Sequence, residues 1–286
     1  MRPDSHMPKA TMPFILHLLQ VSEEELHAQG ITARELTLIY NNYIGRLQEL
    51  EGAGLLVANA LKRHAAVHAV RYRVKEPLHL LKKIIRKRKE YPDRHLTVAN
   101  YLMYINDLVG VRLLHLYKST CHDIGNFITQ NWELKRNPFA YVTDKNSEEA
   151  RQFNAQKYKV IENDRGYRAQ HYILHVKPNR QPYYVEVQVK TLFEEGWSEI
   201  DHCIRYPDQQ PNELLNRLLF ILNRLTSDAD AVATQIQALA TMLQQSEGTT
   251  TPEATLAELQ ARIDRLPVDE QEKQHLHACL ARQLKQ

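Results

Sequence analysis

At 286 residues, with 43% hydrophobic and 25% charged residues, the chain has the make-up of a globular protein with room for one sizeable domain and helical extensions. A net charge of +3 is too small to drive non-specific nucleic-acid binding, and no apolar run approaches the ~20 residues that cross a bilayer. The three cysteines, Cys121, Cys203 and Cys279, stand far apart, which argues against a disulfide framework or zinc site and fits a reducing cytoplasm.

Met12 to Leu19 is apolar but runs into Ser22-Glu23-Glu24-Glu25 with no small-residue cleavage pattern, so it is not a signal peptide. Ser22 with Glu25, and Thr32 with Glu35, read as successive capping boxes. Leu36, Ile39, Tyr40, Tyr43, Ile44 and Leu47 then recur at helical spacing. Gly52 and Gly54 are expected to break that helix, leaving a shorter one to about His64. No His-Asp pair of a metal-dependent hydrolase is present in this part.

Val67 to Val74 alternates as a short strand. Glu76-Pro77 then opens a helix, because proline's missing N–H costs nothing in the first turn. Leu78, Leu81, Ile84 and Ile85 face inward, while Arg73, Lys75, Lys82, Lys83 and Arg86 to Lys89 concentrate positive charge. A charge run is usually a solvated face. Thr97 to Ile105 reads as a short helix delivering Asn106-Asp107 to the strand VGVRLLHLY. A carboxylate there can cap a turn, but ligand sites in open sheets gather at strand ends, and it can hold a hard metal.

Ser119 to Gln130 reads as a helix, Trp132 to Val142 as an irregular or edge strand, Thr143 to Lys157 as a loop or frayed helix, and Lys157 to Ile161 as a strand. A tight turn at Gly166 feeds an alternating strand. In Tyr183 to Thr191, valines 185, 187 and 189 share one face and Glu186, Gln188 and Lys190 the other. Thr191 and Glu194 form a capping box for the next helix. There Leu192, Phe193, Gly196, Trp197, Ile200 and Ile204 are expected to face inward, with Glu195, Glu199, His202 and Tyr206 as a polar stripe.

After Pro207 and Pro211, a heptad-like series runs through Leu218, Leu222, Leu225, Ala229, Val232, Ile236, Leu239 and Leu243. Gly248 to Pro252 is a linker, Leu256, Leu259, Ile263 and Leu266 continue a second helix, and a third closes the chain. A helical hairpin folded onto its own domain is slightly favoured over a coiled-coil contact, with some of this surface available for a homo-oligomer.

Four segments, in order, resemble the RelA/SpoT-type alarmone synthetases. VEVQVKT followed by W-S-E-I-D-H-x-x-x-Y matches the family's strand and E-x-x-H helix. Arg73-x-Lys75 with Lys83, DLVGVR, and GYRAQHY match three further motifs. His79 stands where the family usually has Ser, Lys190 where it has Arg, and Glu162 to Arg165 where a Pro-Lys pair is common. The resemblance implies an α+β fold, a mixed five-stranded sheet wrapped by helices, with a core over 66–207, an N-terminal helical segment over 1–65 and a C-terminal helical extension over 208–286.

It also implies transfer of pyrophosphate from ATP to the 3′-hydroxyl of GDP or GTP. In that scheme Arg73, Lys75, Lys83 and Arg112 hold ATP. Tyr167, Arg168, His171, Lys190 and Glu199 hold the acceptor, and Asp107, Glu186, Gln188 and His202 are catalytic. Asp107 and Glu186 would seat Mg²⁺, which takes one or two carboxylates and completes its shell with phosphates and water. Two alternatives stand beside it: a relative that modifies the 3′-terminal adenosine of tRNA, and an inactive nucleotide-sensing scaffold. A plain RNA-binding protein is disfavoured by the modest charge and the lack of an aromatic–basic platform.

Overall fold

The computed structural model describes residues 9–205, 212–246 and 253–283. Tyr206, both prolines after it, the 248–252 linker and the side chains of Leu243 and Leu256 lie outside the described residues.

The chain opens with α1 (Met12–Leu19), α2 (Glu23–Ala28), α3 (Ala33–Ile44) and α4 (Leu47–Leu61). Ser22 and Glu25 complete a reciprocal capping box at α2. At α3, Thr32 accepts from the Glu35 N–H, but the Glu35 carboxylate accepts from the Val98 N–H instead. The expected break at Gly52 and Gly54 does not occur: the chain turns between α3 and α4, and α4 runs straight through both glycines. Gly54 serves close packing. A Cβ there would lie 2.6 Å from the Tyr72 ring and 3.1 Å from Val109, so the missing side chain lets α4 press onto the sheet.

Six strands form one mixed sheet: β1 (Val67–Val74), β2 (Val109–His115), β3 (Phe139–Val142), β4 (Lys159–Glu162), β5 (Ala169–Val176) and β6 (Tyr183–Thr191), in the order β1-β2-β6-β5-β3-β4. β2 runs parallel to β6 and β3 to β4; the other pairs are antiparallel. The α+β class stands as expected, with one strand more than the five implied by resemblance. Between strands lie α5 (Pro77–Glu90), α6 (Tyr101–Tyr104), α7 (Cys121–Asn131) and α8 (Glu148–Ala155). Ser147 caps α8 through the Ala150 N–H, so the stretch expected to be loop or frayed helix is a short helix anchored by Ala150 and Phe153.

One apolar core runs from Ile15 through α3, α4 and α5 to Val189. Val185, Val187 and Val189 are fully buried, each contributing roughly 1.5–3 kcal/mol by leaving water.

Beyond the sheet come α9 (Leu192–Arg205), α10 (Glu213–Ser246), α11 (Glu253–Asp264) and α12 (Glu270–Gln283). The expected inward stripe of α9 holds at Trp197, which is buried, and is corrected elsewhere: Leu192, Phe193, Gly196 and Ile200 are exposed, whereas Glu194, Glu195 and Ser198 are buried. The helix is rolled because its acids have partners inside. Glu194 takes the Thr191 N–H, and Glu195 takes Lys190 and Arg112. On α10 the residues buried against the domain are Leu219, Asn223 and Asp230, one position off the heptad series, which leaves Leu218, Leu225 and Ile236 exposed. Leu219 accepts from the Trp197 indole. The far end of α10 packs with α11 and α12 around Leu259, Ile263 and Leu280.

Asp230 is fully buried, with Thr191 donating to Oδ2 at 2.9 Å and no partner for Oδ1. Burial, reinforced by the Glu194 charge, pushes its pKa up to about 6 from 3.8. As pH rises through that window the unfolded carboxyl ionises first while the folded one keeps its proton, so stability falls and stays lower above it. Asp230→Asn keeps an acceptor for Thr191 without the ionisation. By chemical denaturation it should match the wild type near pH 4 and exceed it by about 1–3 kcal/mol near pH 7. A variant less stable at neutral pH would contradict this account.

Candidate active site

The alternation in β6 that buries its valines aims Glu186, Gln188 and Lys190 at the other face. Parallel pairing puts Gly110 beside Glu186 and Arg112 beside Gln188. Antiparallel pairing puts His171 beside Gln188 on the far side, while on β1 Arg73 stands opposite Gly110. Adjoining strands thus assemble one polar face from residues far apart in sequence.

Asp107 lies at the mouth of β2. The turn that carries its partner Lys75 is held from both sides: the Lys75 N–H donates to the Leu108 carbonyl at 2.8 Å, and the Tyr43 hydroxyl of α3 donates to the Lys75 carbonyl. Asp107 Oδ2 receives Lys83 Nζ at 2.7 Å and Lys75 Nζ at 3.0 Å. Its Oδ1 is buried without a hydrogen-bond partner. Burial pushes this carboxyl's pKa up, but the Lys83 and Lys75 ammonium groups outweigh it and hold it below the usual carboxylate range.

Glu186 shows the same balance. Burial raises its pKa and so does the Asp107 charge at the mouth of β2, but the His171 contact with the Gln188 hydrogen bond outweighs both and holds it below the usual carboxylate range. Its Oε2 accepts from Gln188 Nε2 at 3.0 Å, and its Oε1 lies 3.6 Å from His171 Nδ1. The other nitrogen of His171 meets the Tyr167 hydroxyl at 2.9 Å. Tyr141 packs edge-on against Tyr167, with ring centres 5.5 Å apart, and lies 4.8 Å from His171.

Toward α9, Arg112 Nη1 donates to Glu195 Oε1 at 2.9 Å and also to Glu199. Lys190 is enclosed, its side chain only 3% exposed; it donates to Glu195 at 3.0 Å and Ser198 at 2.8 Å, under the Tyr167 ring at 4.8 Å. Between these groups opens a cavity of about 370 Å³ lined by Arg112, Tyr167, Gln188, Lys190, Glu199 and His202, among others.

The sequence-derived residues therefore fall into two adjoining groups. Lys75, Lys83, Asp107, Glu186 and His171 form the group toward the β2–β6 mouth, Arg112, Tyr167, Lys190, Glu199 and His202 surround the cavity, and Gln188 belongs to both, with exposed Arg73 lying across Gly110. Arg168 stands apart. It is buried behind the sheet, 3.5 Å from Glu194 and hydrogen-bonded to Asn223 of α10 at 3.3 Å. Glu195, placed by the sequence only in a polar stripe, ties Arg112 to Lys190, and Tyr141 was missed because its strand β3, which lies between β5 and β4 rather than at the expected edge, carries no motif. Asn223, whose amide donates to the Gly166 carbonyl at 2.8 Å, was missed as well.

Residues 72–211 match the family model described as the region found in RelA / SpoT proteins. The chain carries a RelA/SpoT synthetase region. No curated protein matches it significantly. Among solved structures, small alarmone synthetase 1 from Bacillus subtilis is 17% identical, covers 70% of this chain and 94% of its own, and superposes with a TM-score of 0.48. The same synthetase bound to its product pppGpp gives 17%, 68%, 93% and 0.48. A GTP pyrophosphokinase family protein from Streptococcus pneumoniae gives 17%, 68%, 89% and 0.47. The assignment rests on the sequence-family match, which spans all four motif segments of the RelA/SpoT region from Arg73 onward.

The family implies a metal ion, and this RelA/SpoT region has groups that fit one. Asp107 is held ionised, and its Oδ1 is left open. Among the described residues no group of three or more His, Cys, Asp or Glu side chains is placed to hold a metal ion; one or two carboxylates suit Mg²⁺, which completes its shell with phosphate and water. No helix among the described residues is long and apolar enough to cross a membrane.

Proposed function

We propose that the chain is a pyrophosphokinase that transfers the β,γ-pyrophosphoryl group of ATP to the 3′-hydroxyl of GDP or GTP. The observation that carries this reading is the approach of two ionised carboxylates, Asp107 at the mouth of β2 with an open oxygen and Glu186 on the parallel neighbour β6 within range of its charge. Two ammonium groups flank one side and a Tyr167–His171 pair the other.

In this mechanism the acceptor's 3′-oxygen forms a bond to the β-phosphorus, the bond from that phosphorus to the α,β-bridging oxygen breaks, and AMP leaves with the bridging oxygen. The 3′-hydroxyl proton passes to the Glu186 carboxylate. His171 and Gln188 hold that carboxylate in place from two sides. Lys75 and Lys83 contribute positive charge beside the phosphates, with Arg73 as a planar fork on the exposed strand. Mg²⁺, held by Asp107 and Glu186, would neutralise phosphate charge as it develops. Tyr167 offers a ring face to the acceptor base, and Lys190, shut beneath that ring, positions it and Glu195. Arg112, Glu199 and His202 line the adjoining cavity and orient the bound nucleotide.

The test is direct. Full-length protein incubated with ATP, Mg²⁺ and GDP or GTP should release AMP and a 3′-pyrophosphorylated guanosine nucleotide in equal amounts, resolved by anion-exchange chromatography. With γ-labelled ATP, label found only in added tRNA would overturn the small-nucleotide acceptor. Nucleotide binding without AMP release from any acceptor would overturn the enzyme reading.

A further inference from the structure

A second feature lies beyond the β2–β6 mouth. After α5 the Arg94 guanidinium sits 4.7 Å from the Tyr91 ring centre and 5.4 Å from that of Tyr104, and Lys87 lies 5.0 Å from Tyr91. Tyr91 and Tyr104 are 46% and 42% exposed, too much for core residues of their size. They line an open cavity of about 500 Å³ with Arg94 and His95. Lys135 forms the next station. Its ammonium sits 4.0 Å over the Tyr184 ring and donates to the Met103 carbonyl, beside Tyr104, and to Asn106 at 2.7 Å. Arg136, next in sequence, lies 4.3 Å from the Phe139 ring, and Lys159, paired with Phe139 across β3 and β4, approaches the same ring at 5.6 Å.

These three stations join segments that are distant in sequence. The Lys135 pKa is lowered, first by burial and then by Arg136 and Arg94, which places Lys135 in the field of both guanidinium groups. Nearby carboxylates are partly spoken for: Glu90 by Lys87 and Arg86, and Glu133 by His175; Asp93 also lines the cavity. Crowded cations that repel one another gain most from a polyanion. The exposed Tyr91 and Tyr104 rings, followed by the half-buried Tyr184 and Phe139, alternate with cationic groups, an arrangement that suits unstacked bases. A duplex offers no free base faces, and a single nucleotide would meet one station rather than three.

We propose that this aromatic–basic track, from Tyr91, Arg94 and Tyr104 through Lys135 and Tyr184 to Arg136, Phe139 and Lys159, is a docking surface for a single-stranded polynucleotide. The proposal is independent of the pyrophosphokinase reading, because its measurement is binding without turnover.

Fluorescence anisotropy of the full chain with a labelled single-stranded RNA of about 12 nucleotides, within the span of such platforms, provides the test. Single-stranded DNA of the same sequence and the duplex RNA form the other arms. Arg94→Glu should weaken binding about tenfold and flatten its salt dependence, and Tyr91→Ala with Tyr104→Ala about fivefold. Lys62→Glu, an exposed charge reversal at the far end of α4, should change nothing. Thermal melts confirm folding, and Arg94→Gln serves if the reversal does not fold. Equal loss in Lys62→Glu and Arg94→Glu would overturn the track as diffuse attraction, and duplex bound as tightly as single strand would overturn base stacking. Complete competition by ATP, with ATP affinity also lost in Arg94→Glu, would assign the cluster to the nucleotide site instead. RNA bound more tightly than DNA would identify the 2′-hydroxyl as part of recognition; equal binding would support the track with either polynucleotide.

Discussion

Glu186→Gln is expected to lower AMP release by about a thousandfold, with the ATP affinity and the fold retained. The amide matches the carboxylate in size and keeps an acceptor for Gln188, whose Nε2 lies 3.0 Å from Glu186 Oε2. It cannot take a proton from a hydroxyl, and it removes a charge from the proposed metal site. Steady-state rates with GDP as the varied substrate, beside ATP binding by calorimetry, provide the check. Turnover within tenfold of wild type would remove Glu186 from the proton transfer. The fall should lie in kcat more than in KM, because the lost interaction belongs to the transition state.

Asp107→Asn is expected to cost about as much activity and, unlike the glutamate change, stability too. Asp107 is the shared counter-ion of Lys75 and Lys83, and the three side chains are 15–22% exposed. Deleting one partner of a largely enclosed ion cluster leaves the others unpaired. A full interior would cost about 3–5 kcal/mol, and residual solvent reduces this to about 1–3 kcal/mol. The pH dependence carries the sign. With its folded pKa lowered, Asp107 contributes stability that is complete above the unfolded carboxylate pKa and is lost as pH falls through the folded one. Urea midpoints should therefore converge for wild type and variant on acidification and separate at neutral pH. Weaker Mn²⁺ binding in the presence of ATP would tie Asp107 to the metal, whereas unchanged affinity would leave it a structural counter-ion only.

Local signals were legible wherever chain neighbours decide the outcome. β6 and α9 meet at Thr191 as read, with Thr191 and Glu194 completing the capping box. β1, β2, β5 and the start of α5 also fall where alternation and Glu76-Pro77 put them. Failures came where a distant partner intervenes. Gly54 reads as a breaker until the ring of Tyr72 occupies the space of its absent side chain. The apolar residues of α9 were expected inside, but Arg112, Lys190 and Thr191 recruit its acids inward and roll the helix. α8 carries two buried anchors, too few to stand out in a polar stretch.

The motif residues were found by type and order, yet their arrangement was not. Arg168 sits within the same GYRAQHY motif as Tyr167 and His171, but just ahead of β5 it is buried against Glu194 and Asn223 instead of joining them. The aromatic–basic track was invisible because its stations come from segments separated by tens of residues, and only the sheet brings them together.

By itself the sequence determined the alternating strands, the capped helices and the order of the motif segments, since each depends on interactions between residues a few places apart. The tertiary structure alone decided that Asp107 keeps one oxygen open while two lysines hold the other, that Lys190 is walled in under Tyr167, and that α10 reaches back to brace Gly166. Those outcomes depend on burial and on charges meeting across strands, which a linear pattern does not encode.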